Sequence, residues 1–499
     1  MVTLAPSASP ARAALPPIAQ ADLIGLGAML AAFAVMAFDP RVLNDGDTYW
    51  HLAAGQWMLS HGQVLQRDVF SYTFAGRPWC AQEWLSEVLM ALAFRAGGWG
   101  GLLVLYATSV AAATGLLAER LKRSLSGLPL AATLLLALAC SASNAFVRPH
   151  MLVLPVTVVW ICELLAARDA DRGPRWFLVP LMLLWANLHG SFVFGFLLMA
   201  PFALEALVEA QRQAPRGWLK AVRQWAPVGL ACAAAALLTP NGWEGVLHPF
   251  RTMTMGTLNA ISEWQPANFS RPGPLEITLL LTLFVGLGRG VRVPPLRLAL
   301  LLFVLHMALQ HGRHQMMLAI VAPLVLAAPL GEALGQPSAP QPGPQVRGRF
   351  AWPAFAALAL MLAAVRLAGP PAQADAEVAP LAALAHVPPA LAARPVINSY
   401  DFGGALMLKG MKPFIDGRED LYGEAFTERF MAIRAGDHPS LAAAVRQYGV
   451  AWTLLQPGEP LVAVLDATPG WRRLYSDRYA VVHERIGPVA PSGQAAAKR

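Results

Sequence analysis

Long apolar runs separated by short polar connections dominate the chain. They lie near 20–38, 101–118, 128–147, 150–167, 176–188, 191–208, 225–239, 275–288, 297–310, 315–331 and 351–368. At ~1.5 Å rise per residue, about 20 apolar residues cross a ~30 Å hydrocarbon core, so the pattern predicts about eleven transmembrane helices. The fifth and sixth runs share only about 35 residues, less than two full crossings and a turn require. Their hairpin is expected to sit sunk in the membrane, with Asn187, His189 and Gly190 at its tip. Polar backbone at that depth is tolerated only where it lines a cavity or is buried in protein, which predicts an outward-facing cavity.

Two stretches break the pattern. The connection 39–98 is far longer than a connector requires, which marks it as functional. It opens on Asn44-Asp45-Gly46-Asp47-Thr48-Tyr49-Trp50-His51. Residues two apart do not share a helical face, so Gly46 is expected to turn the chain and bring both acids to one spot. A helix over 48–60 follows, with Asp47 or Thr48 as N-cap and Gly62 beyond its end. Trp50, Ala53, Ala54, Trp57 and Met58 form a stripe suited to a membrane interface. Residues 69–74 look extended, and 83–94 reads as a second interfacial helix, with Glu83 and Glu87 one turn apart. The glycines at 97, 98, 100 and 101 set it off from the next span. The second stretch is the tail, 371–499, where β-rich runs at 395–400, 412–415, 450–455 and 479–483 alternate with helices at 422–435 and 440–447. That is the pattern of a small α/β domain. The fold class is therefore an all-α polytopic membrane protein with interfacial helices in its first outer loop and a small C-terminal α/β domain. The transmembrane domain is 1–370, and a Pro/Gln/Gly linker lies at 337–344.

Composition agrees: of 499 residues, 56% are hydrophobic and 14% charged, too little charge to cover a soluble surface of that size. The net charge of +8 sits in short loops between apolar runs, as topology signals do, so nucleic acid is not expected as a partner. Three of the four cysteines, Cys140, Cys162 and Cys232, fall in apolar segments, and no disulfide framework is visible. The first run, with Arg12 upstream and nothing like a cleavage site after it, reads as an uncleaved span rather than a signal peptide. Arg120, Lys122 and Arg123, then Arg168, Arg172 and Arg175, then Arg289, Arg292 and Arg297 fall in alternate loops. By the positive-inside rule these loops and the N-terminus are cytoplasmic, and the acidic loop and the tail are outside. Arg148 and His150, His189, Glu263 and Trp264, and His311, Arg313 and His314 then fall on the outer side, whereas the cytoplasmic acids Glu163, Glu205 and Glu209 balance nearby arginines.

The acidic loop after the first span, the many spans and the outer tail resemble integral-membrane glycosyltransferases of the GT-C class, which includes protein mannosyltransferases, lipid A aminoarabinose transferase and the oligosaccharyltransferase catalytic subunit. Asp45-Gly46-Asp47 occupies the class's acidic position. Tyr400-Asp401-Phe402-Gly403-Gly404 and Phe414-Ile415-Asp416-Gly417-Arg418 resemble the tail of uncharacterised bacterial members. Here the two acids are separated by glycine rather than adjacent, and the tryptophan-rich tail motif of oligosaccharyltransferases is missing.

The resemblance implies transfer of a sugar from a polyprenyl-phosphate donor to a lipid, glycan or protein acceptor at the outer face of the bacterial inner membrane. Such chemistry needs a carboxylate to take the acceptor's proton and a cation to steady the phosphate. Asp45 and Asp47 are the candidate catalytic acids, and Asp47 is also a candidate ligand for Mg²⁺ or Mn²⁺. His51, Glu83, Arg148, His150, His189, Arg313 and His314 are the candidate substrate-binding residues, with Arg148 or Arg313 taking the phosphate. Each has a structural alternative. Asp47 serves as an N-cap, Glu83 and Glu87 as helix caps, the arginines as interfacial anchors, and His306, His311 and His314 as unlinked histidines rather than a metal cluster. A lipid-substrate transporter or flippase and a non-catalytic envelope-assembly protein are the rival functions.

Overall fold

The computed structural model describes residues 20–142, 144–256, 262–336, 351–369, 371 and 375–487, so the expected 337–344 linker lies outside the described residues. The first part is helical. It comprises α1 (Gln20–Phe38), α2 (Gly46–His61), α3 (Trp84–Leu121), α4 (Gly127–Ala142), α5 (Leu154–Asp169), α6 (Leu178–Leu188), α7 (Val193–Gln213) and α8 (Trp218–Ala236). It continues through α9 (Gly242–Met253), α10 (Pro274–Arg289), α11 (Pro295–Gln310), α12 (Gln315–Ala333) and α13 (Ala351–Ala368). Among the described residues five helical segments are long and apolar enough to cross a membrane: Gln20–Phe38, Trp84–Leu121, Pro149–Asp169, Gly190–Gln213 and Gly312–Ala333. Gly127–Ala142, Leu178–Leu188, Pro295–Gln310 and Phe355–Ala368 are shorter apolar helices. Leu128, Leu135 and Leu360 are exposed on these helices, and Leu280, Phe284 and Leu287 on α10. Apolar surface of this kind belongs against lipid, so the chain is built as a multi-pass membrane protein.

The basic loops meet at one end of the bundle. Arg297 pairs with Glu205 at 2.9 Å, Arg172 with Glu163 at 2.5 Å and Arg120 with Asp169 at 3.1 Å. Arg148 precedes α5 and Arg168 lies near its end, so at ~1.5 Å per residue the two sit about 30 Å apart. The acids of the basic end therefore have partners there, and Arg148 belongs to the other end.

Within α3 the glycines separate two helices, as the sequence predicts. The segments 83–94 and 101–118 form one element broken at Gly97 and Gly98, whose backbone is non-helical. Only glycine adopts Gly98's φ of 57° with ψ of −145° without strain.

Helix α2 departs from expectation. Its apolar stripe is not at a membrane surface: Trp50, Ala53, Ala54 and Met58 are buried in a core shared with the tail residues Ile397, Phe414, Tyr422 and Phe426. The opposite side packs on α3 so closely that a Cβ on Gly55 would overlap the Glu87 carbonyl. A helix apolar on one stripe needs a partner surface, and a protein surface serves as well as lipid.

The tail contains α14 (Leu381–Ala385), α15 (Pro389–Ala392), α16 (Gly403–Leu408), α17 (Glu419–Tyr422), α18 (Glu424–Arg434), α19 (His438–Tyr448) and α20 (Pro460–Ala467). These surround strands β1 (Val396–Asn398), β2 (Trp452–Leu455), β3 (Trp471–Ser476) and β4 (Val481–Arg485). The sheet order is β1-β2-β4-β3, with β1 parallel to β2 and the other pairs antiparallel. Two expected extended runs are not strands. At 412–415 the backbone is held by a side chain, since Asn398 Oδ1 accepts from Phe414 N–H and Asn398 Nδ2 donates to the Ile415 carbonyl. At 69–74 the Asp68 carboxylate accepts from the N–H groups of Phe70 and Ser71 and from the Ser71 hydroxyl, which turns the chain instead.

Candidate active site

The site forms where α2, the start of α3, the approach to α5, the α6–α7 tip and the α11–α12 connection meet under the tail. Helix α2 begins earlier than expected. Asp45, not Asp47 or Thr48, is its N-cap, accepting Asp47 N–H at 2.8 Å. Gly46 is the first helical residue rather than a turn, and it is glycine because a Cβ there would stand 2.6 Å from the Asp401 carbonyl. With Asp45 capping, Asp47 is free to turn into the cavity. Buried Thr48 donates to the Val147 carbonyl at 3.0 Å, and Val147 N–H donates to Val42, which fixes Arg148 beside the start of α2.

A cavity of about 350 Å³ results, lined by Asp47, His51, Glu83, Arg148, His150, His189, Arg313 and His314. Eight of the nine expected site residues thus share one chamber. Asp45 lies behind its wall, 6% exposed, with one oxygen on Asp47 N–H and the other taking Arg148 at 2.7 Å. The chamber floor is apolar: Val153, Leu154, Phe194, Met316, Met317 and Ile320.

Electrostatics divide the chamber into two walls. On the first, Arg148 contacts Asp45 at 2.7 Å, Asp47 at 3.1 Å and Glu263 at 2.6 Å, and Arg313 reaches Glu263 at 3.2 Å while lying 4.4 Å over the Trp264 ring. Three carboxylates share two guanidinium groups. Burial works against charge at Glu263, and the two arginines overcome it, holding its carboxyl at about 2. Asp47 differs. Burial lifts it, the Arg148 charge opposes that, and Asp45 and Glu263 add to the lift, so its carboxyl sits at about 7. Trp50 Nε1–H holds the other Asp47 oxygen at 2.9 Å.

On the second wall, Glu83 sits at the head of α3 but makes no capping bond. Its oxygens face two imidazoles, His189 Nε2 at 2.9 Å and His51 Nε2 at 3.4 Å. His189 Nδ1 accepts Ser191 N–H at 3.0 Å, so its proton is on Nε2 and is donated to Glu83. Burial works against the Glu83 charge, but His189 and the Arg313 charge bring the carboxyl to about 2. Burial drives His51 to about 3, so it is neutral, and its Nδ1 meets buried Glu87 at 2.9 Å. The α6–α7 tip supplies His189 to the chamber: α6 has 11 residues, and its end docks on α3 through Trp84 Nε1–H to Asn187 at 2.8 Å and the Ser86 hydroxyl to Leu188 at 2.7 Å.

The histidines at the α11–α12 connection do not form a metal centre. His306 is exposed, His311 bonds the Trp264 carbonyl at 2.7 Å, and only His314 turns into the chamber. No trio of His, Cys, Asp or Glu among the described residues is arranged to hold a metal ion.

The tail closes the chamber. Tyr400, Asp401, Gly417, Glu419 and Asp420 line it, and a Cβ on Gly417 would overlap Asp47 Oδ1. Behind this contact, fully buried Arg418 binds Asp416 at 2.7 Å, Asp68 at 2.8 Å and the Trp79 face at 4.9 Å. Both tail motifs that carry the sequence resemblance are therefore wall-building segments. Site residues beyond the sequence expectation are Glu263, Trp50, Tyr400, Asp401 and Asp420. Glu263 is visible as an outer-side acid, but its bridging of two arginines has no signature in spacing.

No family model and no curated protein matches the sequence. Solved structures with a similar backbone include the apo Archaeoglobus fulgidus oligosaccharyltransferase, at 13% identity over 87% of this chain and 69% of that one, with a TM-score of 0.39. Another is apo ArnT from Cupriavidus metallidurans, at 13% identity over 94% of this chain and 99% of that one, with a TM-score of 0.46. ArnT bound to undecaprenyl phosphate matches at 14% identity over 94% and 99%, with a TM-score of 0.33. At these values the likeness is one of general architecture, and the chemistry of this chain is argued from its own residues.

Proposed function

We propose that the protein is a glycosyltransferase of the GT-C kind, moving a sugar from a polyprenyl-phosphate donor to an acceptor at the outer face of a bacterial inner membrane. The observation that carries this reading is one chamber pairing an apolar floor among the membrane helices with guanidinium groups and a carboxylate held near neutral pH. The floor suits a lipid chain. Arg313, and Arg148 where it is not engaged by carboxylates, offer planar donors for the phosphate. Asp47, at about 7, is matched to taking a proton from an acceptor hydroxyl or amine. Glu83 at about 2 stays charged, which suits it to facing positive charge on the sugar ring in an oxocarbenium-like transition state. Two carboxylates in one cavity with environments that push them apart is the usual division between a proton acceptor and a fixed charge.

In the transfer, the sugar C1–O bond to phosphate breaks, its electron pair leaves with the lipid phosphate, and the acceptor oxygen or nitrogen bonds C1 as its proton passes to Asp47. A divalent cation such as Mg²⁺ or Mn²⁺ at Asp47 would have to replace Arg148 or Trp50, which occupy its two oxygens. The donor set fits such an ion poorly. The orientation proposed is N-terminus in the cytoplasm and tail in the periplasm. Native mass spectrometry of the purified full chain tests the reading: undecaprenyl phosphate is expected to remain bound, and its absence, with a plain fatty-acid phosphate bound equally well, would remove the lipid-donor assignment.

A further inference from the structure

The guanidinium of Arg148 has no free edge for a phosphate. Each of its nitrogens already meets a carboxylate oxygen: Nε and Nη2 stand 2.7 Å from Asp45 Oδ2, and Nη1 stands 3.1 Å from Asp47 Oδ2 and 2.6 Å from Glu263 Oε2. Arg313 Nη1 meets the other oxygen of the same glutamate, Oε1, at 3.2 Å, and its guanidinium rests on the Trp264 ring. Two positive charges thus face three carboxylates. A further anion is repelled from this wall until one of the three gives way.

The three carboxylates are not held alike. Asp45 caps α2 through Asp47 N–H at 2.8 Å and is buried. Asp47 is tied by Trp50 Nε1–H at 2.9 Å and packed against Gly417. The Glu263 carboxylate, among the described residues, is held by the two arginines alone, and its side chain is 17% exposed, so it has an open side to turn towards. Its backbone is fixed to the α11–α12 connection: His311 Nδ1 meets the Trp264 carbonyl at 2.7 Å, and Gly312 N–H donates to the Gln265 carbonyl at 3.0 Å. The carboxylate can therefore swing about its own side-chain bonds while the segment stays in place. Of the three it is also the one that reaches both arginines, an O–C–O unit set between two guanidinium groups. The O–P–O unit of a phosphate makes the same kind of contact.

We propose that the Glu263 carboxylate stands where the phosphate of the lipid donor binds, and that a polyprenyl phosphate enters by displacing it from between Arg148 and Arg313. The proposal rests on the transfer reading above and names the contacts that the phosphate exchanges. Glu263 then sets a threshold for entry. A headgroup must carry negative charge and oxygen acceptors enough to replace a seated carboxylate, which a polyprenol does not. In the empty chamber the same residue keeps the two guanidinium groups paired and in position.

Titration of the detergent-purified full chain with undecaprenyl phosphate, undecaprenol and inorganic phosphate, read by native mass spectrometry, tests it. A seated competitor weakens apparent affinity by the fraction of molecules in which the site is free, so removing its charge in Glu263→Gln is expected to tighten undecaprenyl phosphate binding roughly tenfold. Undecaprenol binding is expected to stay the same. Glu263→Asp keeps the charge on an arm one methylene shorter, which no longer spans both arginines, and is expected to give a smaller gain. Unchanged or weaker undecaprenyl phosphate binding in Glu263→Gln, or an equal gain for undecaprenol, would overturn the displacement. Should Glu263→Gln fail to fold, Glu263→Asp decides by the same two readings. The transfer reading is scored separately. A wild-type chain that binds undecaprenyl phosphate no better than undecaprenol, with inorganic phosphate still bound more tightly by Glu263→Gln, removes the lipid-donor reading and keeps the displacement. Wild-type preference for undecaprenyl phosphate with no gain in either variant removes only the displacement.

Discussion

Asp47→Asn is the most informative single change, because the structure separates its chemical effect from its structural one. The amide oxygen of asparagine can still accept Trp50 Nε1–H, a bond of 2.9 Å in the native protein. The α2 cap is untouched, since Asp45 provides it. Arg148 loses one of three carboxylate partners but keeps Asp45 at 2.7 Å and Glu263 at 2.6 Å. The Asp47 side chain is 23% exposed, so the lost pair is expected to change stability by about 1 kcal/mol or less. Loss of a general base lowers turnover by roughly a hundredfold or more. The assay is release of free polyprenyl phosphate from a polyprenyl-phosphate sugar in membranes carrying equal amounts of folded protein, followed by mass spectrometry. The wild-type rate should also depend on pH through this carboxyl. Below about 7 Asp47 holds a proton and cannot accept another, so the rate falls as pH drops through that value, and the limb disappears in Asp47→Asn. An Asp47→Asn protein that turns over at the wild-type rate, or a wild-type limb near the ordinary aspartate value, would refute the assignment. Asp45→Asn is the companion: asparagine still caps, so the expected loss is smaller and arises from a loosened Arg148.

Five further outcomes follow. Arg313→Ala, at a side chain 29% exposed and stacked on Trp264, should raise KM for the lipid donor with little change in melting temperature, whereas a large drop in melting temperature would make Arg313 a structural anchor. Gly417→Ala should depress turnover nearly as far as Asp47→Asn, because its Cβ displaces the Asp47 carboxylate; circular dichroism should show the fold retained. Arg418→Ala leaves Asp416 and Asp68 buried without their partner, a change of about 3–5 kcal/mol, and limited proteolysis should then release the tail. Alkaline phosphatase fused after Gly487 should be active and after Arg123 inactive, with the opposite pattern reversing the orientation; EDTA should leave turnover unchanged if Asp47 acts as a base without a metal.

Much of the architecture was legible in the sequence because it depends on quantities that sequence carries directly. Apolar run length located the helices within a few residues: expectations near 150–167 and 315–331 correspond to the segments Pro149–Asp169 and Gly312–Ala333. The short shared length of the fifth and sixth runs corresponds to an α6 of only 11 residues, and His189 at the following tip lines the cavity. Short β-rich runs mark β1, β2 and β4 but not β3, whose Trp-Arg-Arg-Leu-Tyr-Ser sequence is charged and largely solvent-facing.

Tertiary structure decided what spacing cannot express. Which face of α2 meets lipid and which meets protein depends on the tail, roughly 350 residues later, so the Trp50–Met58 stripe pointed equally to either. Whether Asp45 or Asp47 caps the helix followed from where Arg148 and Asp401 settle, and that choice set one acid behind the wall and the other in the chamber. The acids at 47 and 83 look alike in the sequence. Their separation to about 7 and about 2 arises from neighbours brought together across the chain: Arg148, Asp45 and Glu263 around one, His189 and Arg313 around the other. Electrostatic environment is a sum over distances, and distances between remote residues exist only once the chain is folded.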